Sequence, residues 1–230
     1  MSIHPHTNAL ENLALFQGLT EKQLDWLAER LRCKTFAAGT NIITVEQPGE
    51  VIFFIVSGTV KVHIEQASGN DVTLAILGCG DTVGEMSLLD SAGRSASVIT
   101  LEETTLLWMD RQTFQEGLRE IPALAMNLVR VLSTRVRLAN EQIQTLATLD
   151  VYGRVARQLL AFAEKYGEAS PAGHVLIPIR LTQGDIADLV GASRKRVNQV
   201  IVTFKSLSLV SVDSQGRITV HDRHGLARYC

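Results

Sequence analysis

After Pro122 the sequence runs for 30 residues, up to Gly153, without a glycine or another proline, and no other stretch constrains the chain as strongly. Glycine and proline are the residues that interrupt a helix, proline by losing a donor and clashing with the preceding turn. One long helix is therefore predicted from Pro122 to about Leu149. Along it, Val129, Leu132, Val136, Ala139, Ile143 and Leu146 fill alternating a and d positions over about two and a half heptads. Apolar residues at that spacing form a seam that a second helix can cover, which makes these six the expected dimer interface. Leu124, Leu128, Val131 and Leu138 form a second stripe suited to packing on the chain's own N-terminal part. One wide core face without a partner helix is the alternative.

The pattern differs on either side of this helix. Leu19–Arg32 reads as a short helix with Thr20 as N-cap and Leu24, Leu27 and Leu31 on one face. From Phe36 to about Asp110 the period is two, most clearly in Val60-Lys61-Val62-His63-Ile64-Glu65. Turn residues punctuate this run at Gln47-Pro48-Gly49-Glu50, Ser57-Gly58, Ser68-Gly69-Asn70-Asp71 and Gly78-Cys79-Gly80-Asp81. Many short strands with frequent turns predict a β-sandwich or barrel. Beyond the long helix, Asp150 caps a helix over Val151–Tyr166 that shows Val155, Leu159 and Phe162 on one face. A loop at Gly167–Gly173, a strand at Val175–Ile179 and two short helices follow. Leu209–Val212 and Ile218–Val220 then flank a hairpin turn at Asp213–Arg217. The expected fold class is α+β, with divisions at residues 1–120, 121–149 and 150–230.

Composition narrows the function classes. A chain that is 46% hydrophobic is not intrinsically disordered. No run free of Asp, Glu, Lys and Arg is longer than Ala169–Ile179, far short of the ~18–20 apolar residues a membrane helix needs. Met1–Leu10 lacks the basic and apolar regions of a signal peptide. Cys33, Cys79 and Cys230 are scattered and lack CxxC spacing, which argues against disulfides and Cys-built metal or iron–sulfur sites and fits a reducing, cytoplasmic setting. The net charge of −2 conceals a division: residues 1–150 carry 11 Lys/Arg against 18 Asp/Glu, residues 151–230 carry 11 against 6. The second part, at +5, suits an anionic partner such as nucleic acid.

Gln183–Val202 specifies where that partner docks. Ile186, Val190, Val197 and Val200 are the buried positions of two crossing helices, with small Ala187 at their approach and Gly191 in the turn. Ser193 is the N-cap of the second helix, and Arg194, Lys195, Arg196, Asn198 and Gln199 project from its first turns. Recognition helices place such residues in the major groove, where Arg and Lys read guanine and Asn and Gln read adenine. Thr182 and Gln183 start the first helix and are candidates for phosphate contacts. The competing reading is an ordinary helical hairpin with a solvated basic face, against which the adjoining hairpin wing argues.

Within the β-rich part, Gly84-Glu85-Met86 precedes Arg94-Ser95-Ala96. Gly84 permits close backbone approach, Arg94 offers a fork for a phosphate, Ser95 a hydroxyl and an amide, and Glu85 an acceptor for a sugar hydroxyl. A short helix over Met86–Leu89 would add its amides. The plain alternative is a Glu85–Arg94 salt bridge closing a loop.

Taken in order, Phe53–Val62, Gly84-Glu85, Arg94-Ser95-Ala96, the long helix, Leu149-Asp150-Val151, Gly153-Arg154 and Gly191-Ala192-Ser193-Arg194 resemble the cyclic-AMP receptor protein/FNR family of bacterial transcription regulators over nearly the whole chain. The resemblance implies a cyclic-nucleotide-binding β-roll (jelly-roll-like), a central dimerisation helix and a winged helix-turn-helix. It also implies cyclic AMP or a related cyclic nucleotide as effector, no obligatory cofactor, a pseudo-palindromic site on double-stranded DNA, and RNA polymerase as a further partner. By the same resemblance Glu85 takes the ribose, Arg94, Ser95 and Gly84 form the phosphate cassette, and Asp150 is the interdomain hinge. The family's adenine-binding Thr and Ser become Ala139 and Asn140 here. Ala139 supplies no hydrogen bond, whereas Asn140 donates and accepts, so base preference stays open among cyclic AMP, cyclic GMP and no nucleotide. Of the family's Arg-Glu…Arg reading set only the first Arg is kept, as Arg194-Lys195…Gln199, which implies a different operator. The family's haem sensors need axial ligands, for which His63 on an exposed strand face is poorly suited. An enzyme is not expected: no catalytic constellation or Walker loop occurs, and a regulatory module of a cyclic-nucleotide-dependent enzyme leaves no residues for a catalytic domain. The same regulator answering a metabolite or redox signal is the nearer alternative.

Overall fold

The structure, a computed structural model, describes residues 10–45, 47–65, 71–90, 93–171 and 173–230. The turn expected at Ser68–Asp71 falls largely outside these residues, as does most of the Met1–Leu10 segment. The chain forms two compact units: residues 71–73 group with the second, which otherwise begins within the long helix, at Leu138 rather than at either of its ends.

In the first unit eight strands form two four-stranded sheets. One runs β1 (Arg32–Phe36), β8 (Thr104–Asp110), β3 (Val51–Ser57), β6 (Thr82–Val83); the other runs β2 (Asn41–Ile43), β7 (Ser97–Thr100), β4 (Val60–Glu65), β5 (Asp71–Leu77). The β1–β8, β8–β3, β3–β6, β2–β7 and β7–β4 ladders are antiparallel. Strand β3 reads Val-Ile-Phe-Phe-Ile-Val-Ser because both its faces are covered. Phe53 and Ile55 join Ile43, Val60, Val98 and Leu106 between the sheets, while Ile52 and Phe54 face an outer layer of helices.

That outer layer contains a 3-10 turn at Ala14–Phe16 and helices α1 (Glu21–Ala28), α2 (Glu85–Asp90) and α3 (Arg111–Glu120). Helix α1 has the expected Thr20 cap, closed by Gln23 as a capping box. It ends at Ala28 rather than Arg32, because Arg32 already pairs with Trp108 as the first residue of β1. Helix α3, which periodicity missed, starts where the Asp110 carboxylate accepts from the Thr113 amide at 2.8 Å. His63 is buried, contrary to expectation. In β4 only Ile64 and Glu65 are exposed, so the outward face that simple alternation assigns to solvent is not open along the strand.

The long helix is α4 (Pro122–Thr148), with proline at its first position, where no amide partner is lost. Leu124 and Leu128 are buried in the first unit's core, and Val131 and Leu132 pack partly against it. Buried Asn127 is satisfied by donating to the carbonyls of Leu15 (3.0 Å) and Gln17 (2.8 Å). Leu138, expected to continue this stripe, lies beyond the end of the first unit and is exposed.

The second unit contains α5 (Val151–Tyr166), β9 (Glu168–Ala169), β10 (Val175–Ile177), α6 (Gln183–Val190), α7 (Arg194–Ser206), β11 (Val210–Val212), β12 (Ile218–Val220) and α8 (Arg223–Ala227). Its sheet runs β11-β12-β10-β9, so the expected loop after Gly167 contains a two-residue edge strand. Val155, Leu159 and Phe162 are buried as predicted, together with Ile186, Val190, Val197, Val200 and Phe204. Tyr152, Phe204 and Tyr229 form an aromatic cluster with ring centroids 5.0–6.1 Å apart.

Candidate functional site

The first unit holds a cavity of about 140 Å³ lined by residues that include Gly84, Glu85, Met86, Arg94, Ser95 and Arg135. Its floor is positioned by β6, which delivers Gly84 with φ near +88° and leads directly into α2. A Cβ at position 84 would stand 2.6 Å from Arg94 Nη1 and 2.9 Å from the Val51 carbonyl oxygen. Only glycine accepts both that φ and that approach.

Arg94 does not pair with Glu85. Its Nη1 donates to the Gly84 carbonyl (3.1 Å) and the Ser87 hydroxyl (3.0 Å), and its Nη2 donates to the Val51 carbonyl (3.0 Å). Burial pushes the Arg94 pKa down and the neighbouring Arg111 guanidinium adds to the effect, outweighing the opposing pull of Glu50 and Glu85. Both leading causes are costs of holding positive charge there, and an anion would relieve both. Arg111 itself donates to the carbonyls of Gly49 and Ser87, each at 2.7 Å. The Ser95 hydroxyl lies 3.8 Å from the Met86 sulfur, and both residues are exposed at the rim.

Glu85 is 1% exposed and forms an ion pair with Arg135 of α4, which also donates to the Thr82 carbonyl. Its other carboxylate oxygen, Oε2, is buried without a hydrogen-bond partner. A carboxylate oxygen of that kind costs roughly 1–3 kcal/mol unless something donates to it. Arg135 was not singled out from the sequence: it is one of several arginines on α4, and its partner lies 50 residues upstream. Asn140 is exposed further along α4 and does not line the cavity.

In the second unit the helix-turn-helix is capped as expected. The Ser193 hydroxyl accepts from the Arg196 amide at 3.3 Å. Gly191 ends α6 in the left-handed region with φ near +60°, which glycine adopts without strain. Thr182 is committed to a capping box: its hydroxyl accepts from the Asp185 amide at 3.1 Å and donates to the Asp185 carboxylate at 2.5 Å. Gln183 Nε2 donates to Asn198 Oδ1 at 2.9 Å, joining the two helices. Arg194, Lys195, Arg196, Asn198 and Gln199 are all exposed. Arg196 stacks over Tyr152 at 5.6 Å and reaches Gln199 at 3.3 Å, so it sits to one side of the group.

At the expected hinge position, the Asp150 carboxylate accepts from the Gly153 amide at 2.9 Å. Arg154 donates to the carbonyls of Leu146 (3.0 Å), Leu149 (3.0 Å) and Val190 (3.2 Å), while Gln142 Nε2 donates to the Leu189 carbonyl at 2.6 Å. Of the heptad seam, Val129, Val136, Ala139, Ile143 and Leu146 are exposed, and Leu132 is half-buried. Among the described residues no helix is long and apolar enough to cross a membrane, and no group of three His, Cys, Asp or Glu could hold a metal.

Comparison with known proteins bears on both units. The family model for the cyclic nucleotide-binding domain matches residues 33–120, and that for the Crp-like helix-turn-helix domain matches residues 153–229. A CRP-like cAMP-activated global transcriptional regulator of Mycobacterium tuberculosis is 32% identical over 219 residues, covering 95% of this chain and 97% of the relative. The solved structure of FixK2 from Bradyrhizobium japonicum has the same fold, with a TM-score of 0.75, 18% identity, and coverage of 86% of this chain and 96% of that one. So does the c-di-GMP responsive global regulator CLP of Xanthomonas campestris, with a TM-score of 0.72, 19% identity, and coverage of 88% and 100%.

Proposed function

The chain belongs to the cyclic-AMP receptor protein/FNR family of bacterial transcription regulators, and we propose that it acts as a homodimer whose hold on double-stranded DNA is set by a cyclic nucleotide, cyclic AMP first among them. The observation that carries the effector reading is the buried, unpartnered Oε2 of Glu85 beside a cavity ringed by Arg94, Ser95 and Arg135. A ribose hydroxyl supplies the donor that Oε2 lacks. A phosphate supplies the negative charge that Arg94 and Arg111 favour. On entering, the phosphate draws the Arg94 guanidinium away from the Gly84 and Val51 carbonyls, because a charged acceptor outcompetes a neutral one.

Response follows from α4. A sugar that shares Glu85 changes what Arg135 is paired with, and Arg135 lies on the helix that continues to the hinge at Asp150. The ligand shifts the DNA-binding equilibrium only as far as it prefers one arrangement over the other. With two-fold symmetry through the α4 seam, the operator is pseudo-palindromic, with half-site centres about one helical turn (~34 Å) apart. RNA polymerase is the further partner that a regulator so placed would meet.

A second reading keeps DNA binding and changes the effector. Ala139 offers no hydrogen bond to a base, and the same fold serves a regulator responsive to c-di-GMP. Calorimetric titration separates the readings. Cyclic AMP is expected to bind the wild type, and Arg94→Ala to weaken it roughly 10- to 100-fold by removing a charge-assisted contact. Heat with cyclic GMP or c-di-GMP but none with cyclic AMP would favour the second reading.

A further inference from the structure

The exposed face of α7 carries one residue that hydrogen-bonded readout does not use. Val202 is 57% exposed. At 100° per residue, buried Val197, Val200, Ile201 and Phe204 define one side of α7, and the line opposite runs through Lys195, Gln199, Val202 and Ser206. Val202 therefore stands at the centre of the face that carries the polar reading residues, with Asn198 and Gln199 one turn before it. A lone exposed valine on a solvated surface means little. Here it lies one turn beyond Asn198 and Gln199, on a face that a DNA duplex would desolvate.

We propose that Val202 reads a thymine, its γ-methyl groups meeting the C5-methyl in the major groove. The proposal rests on the DNA-binding reading above and specifies part of the operator. Of the groups displayed in the major groove, only thymine offers a methyl; the other edges present donors and acceptors, which an isopropyl group desolvates without satisfying. Val202 lies about 4.5 Å along the helix axis from Gln199, little more than one base step of ~3.4 Å. The thymine accordingly belongs to the same half-site as the base that Gln199 addresses, one or two base pairs away.

Removing a single methyl group from the DNA tests this. A duplex selected from random sequence by the full-length protein with cyclic nucleotide is resynthesised with deoxyuridine at each selected thymine in turn. At one position the wild type is expected to lose about fourfold in affinity, the equivalent of one buried methyl-sized group. Val202→Ala should bind the thymine duplex about fourfold more weakly than wild type and not discriminate thymine from deoxyuridine there. Val202→Thr, which retains one γ-methyl, should keep most of the discrimination. A selected site without thymine, or a methyl effect identical in wild type and Val202→Ala, would overturn the assignment while leaving DNA binding standing. Failure to select any DNA would overturn both, and the DNA-binding reading first.

Discussion

Glu85 is a carboxylate in a nearly closed position, and Arg135 makes that tolerable. Removing one member of such a pair strands the other's charge, whereas replacing both restores neutrality. Arg135→Leu is therefore expected to cost about 2–3 kcal/mol, read as a denaturation midpoint. Adding Glu85→Gln should recover most of that loss without restoring nucleotide affinity. Equal losses in the single and double variants would mean that the pair is not coupled. Asp110 allows a simpler test. The Thr113 amide, donating to its carboxylate, holds the Asp110 pKa below the usual range. A group depressed in the folded state stabilises above its unfolded pKa near 3.9 and loses that contribution as pH falls through the folded value. Asp110→Ala should thus cost about 1 kcal/mol at pH 7 and progressively less below about pH 4.

At the scale of elements, α4 is two helices in one. Leu128, in the first unit's core, should cost about 2–5 kcal/mol of stability when cut to Ala, with oligomeric state unchanged. Ile143→Glu, at a position 66% exposed, should leave the fold intact and shift sedimentation from dimer to monomer. A dimer that survives both Ile143→Glu and Val136→Glu would refute the seam. For α7, Arg194→Ala is expected to cost about 1–3 kcal/mol and relax specificity at one base pair, checked by binding to a panel of single-base operator variants. The elements legible in the sequence were those whose cause is local. The absence of breakers marks α4, alternation marks β4, and caps and a left-handed glycine mark α6 and α7. Those missed have weak apolar periodicity, short length or a distant partner. Helix α3 buries only Phe114 and Gly117, α8 is five residues long, and β9 exists because β10 pairs with it. Arg135 is defined by Glu85, which no helical period on α4 can reveal.

Across the whole molecule, the charge division matches two different ways of holding an anion. On the proposed reading the acidic N-terminal part does so locally, through Arg94 and Ser95 in the cavity, against its own bulk charge. The C-terminal part adds a long-range field, so its affinity for DNA should fall linearly in log–log with salt. What unites them is the claim that occupancy of the cavity is felt at the DNA. Anisotropy of a selected fluorescent duplex, titrated with full-length protein at one fixed salt concentration with and without saturating cyclic AMP, measures that directly. The expected result is a change in DNA affinity of at least fivefold that Arg94→Ala abolishes. Identical DNA affinity with and without the nucleotide would contradict it.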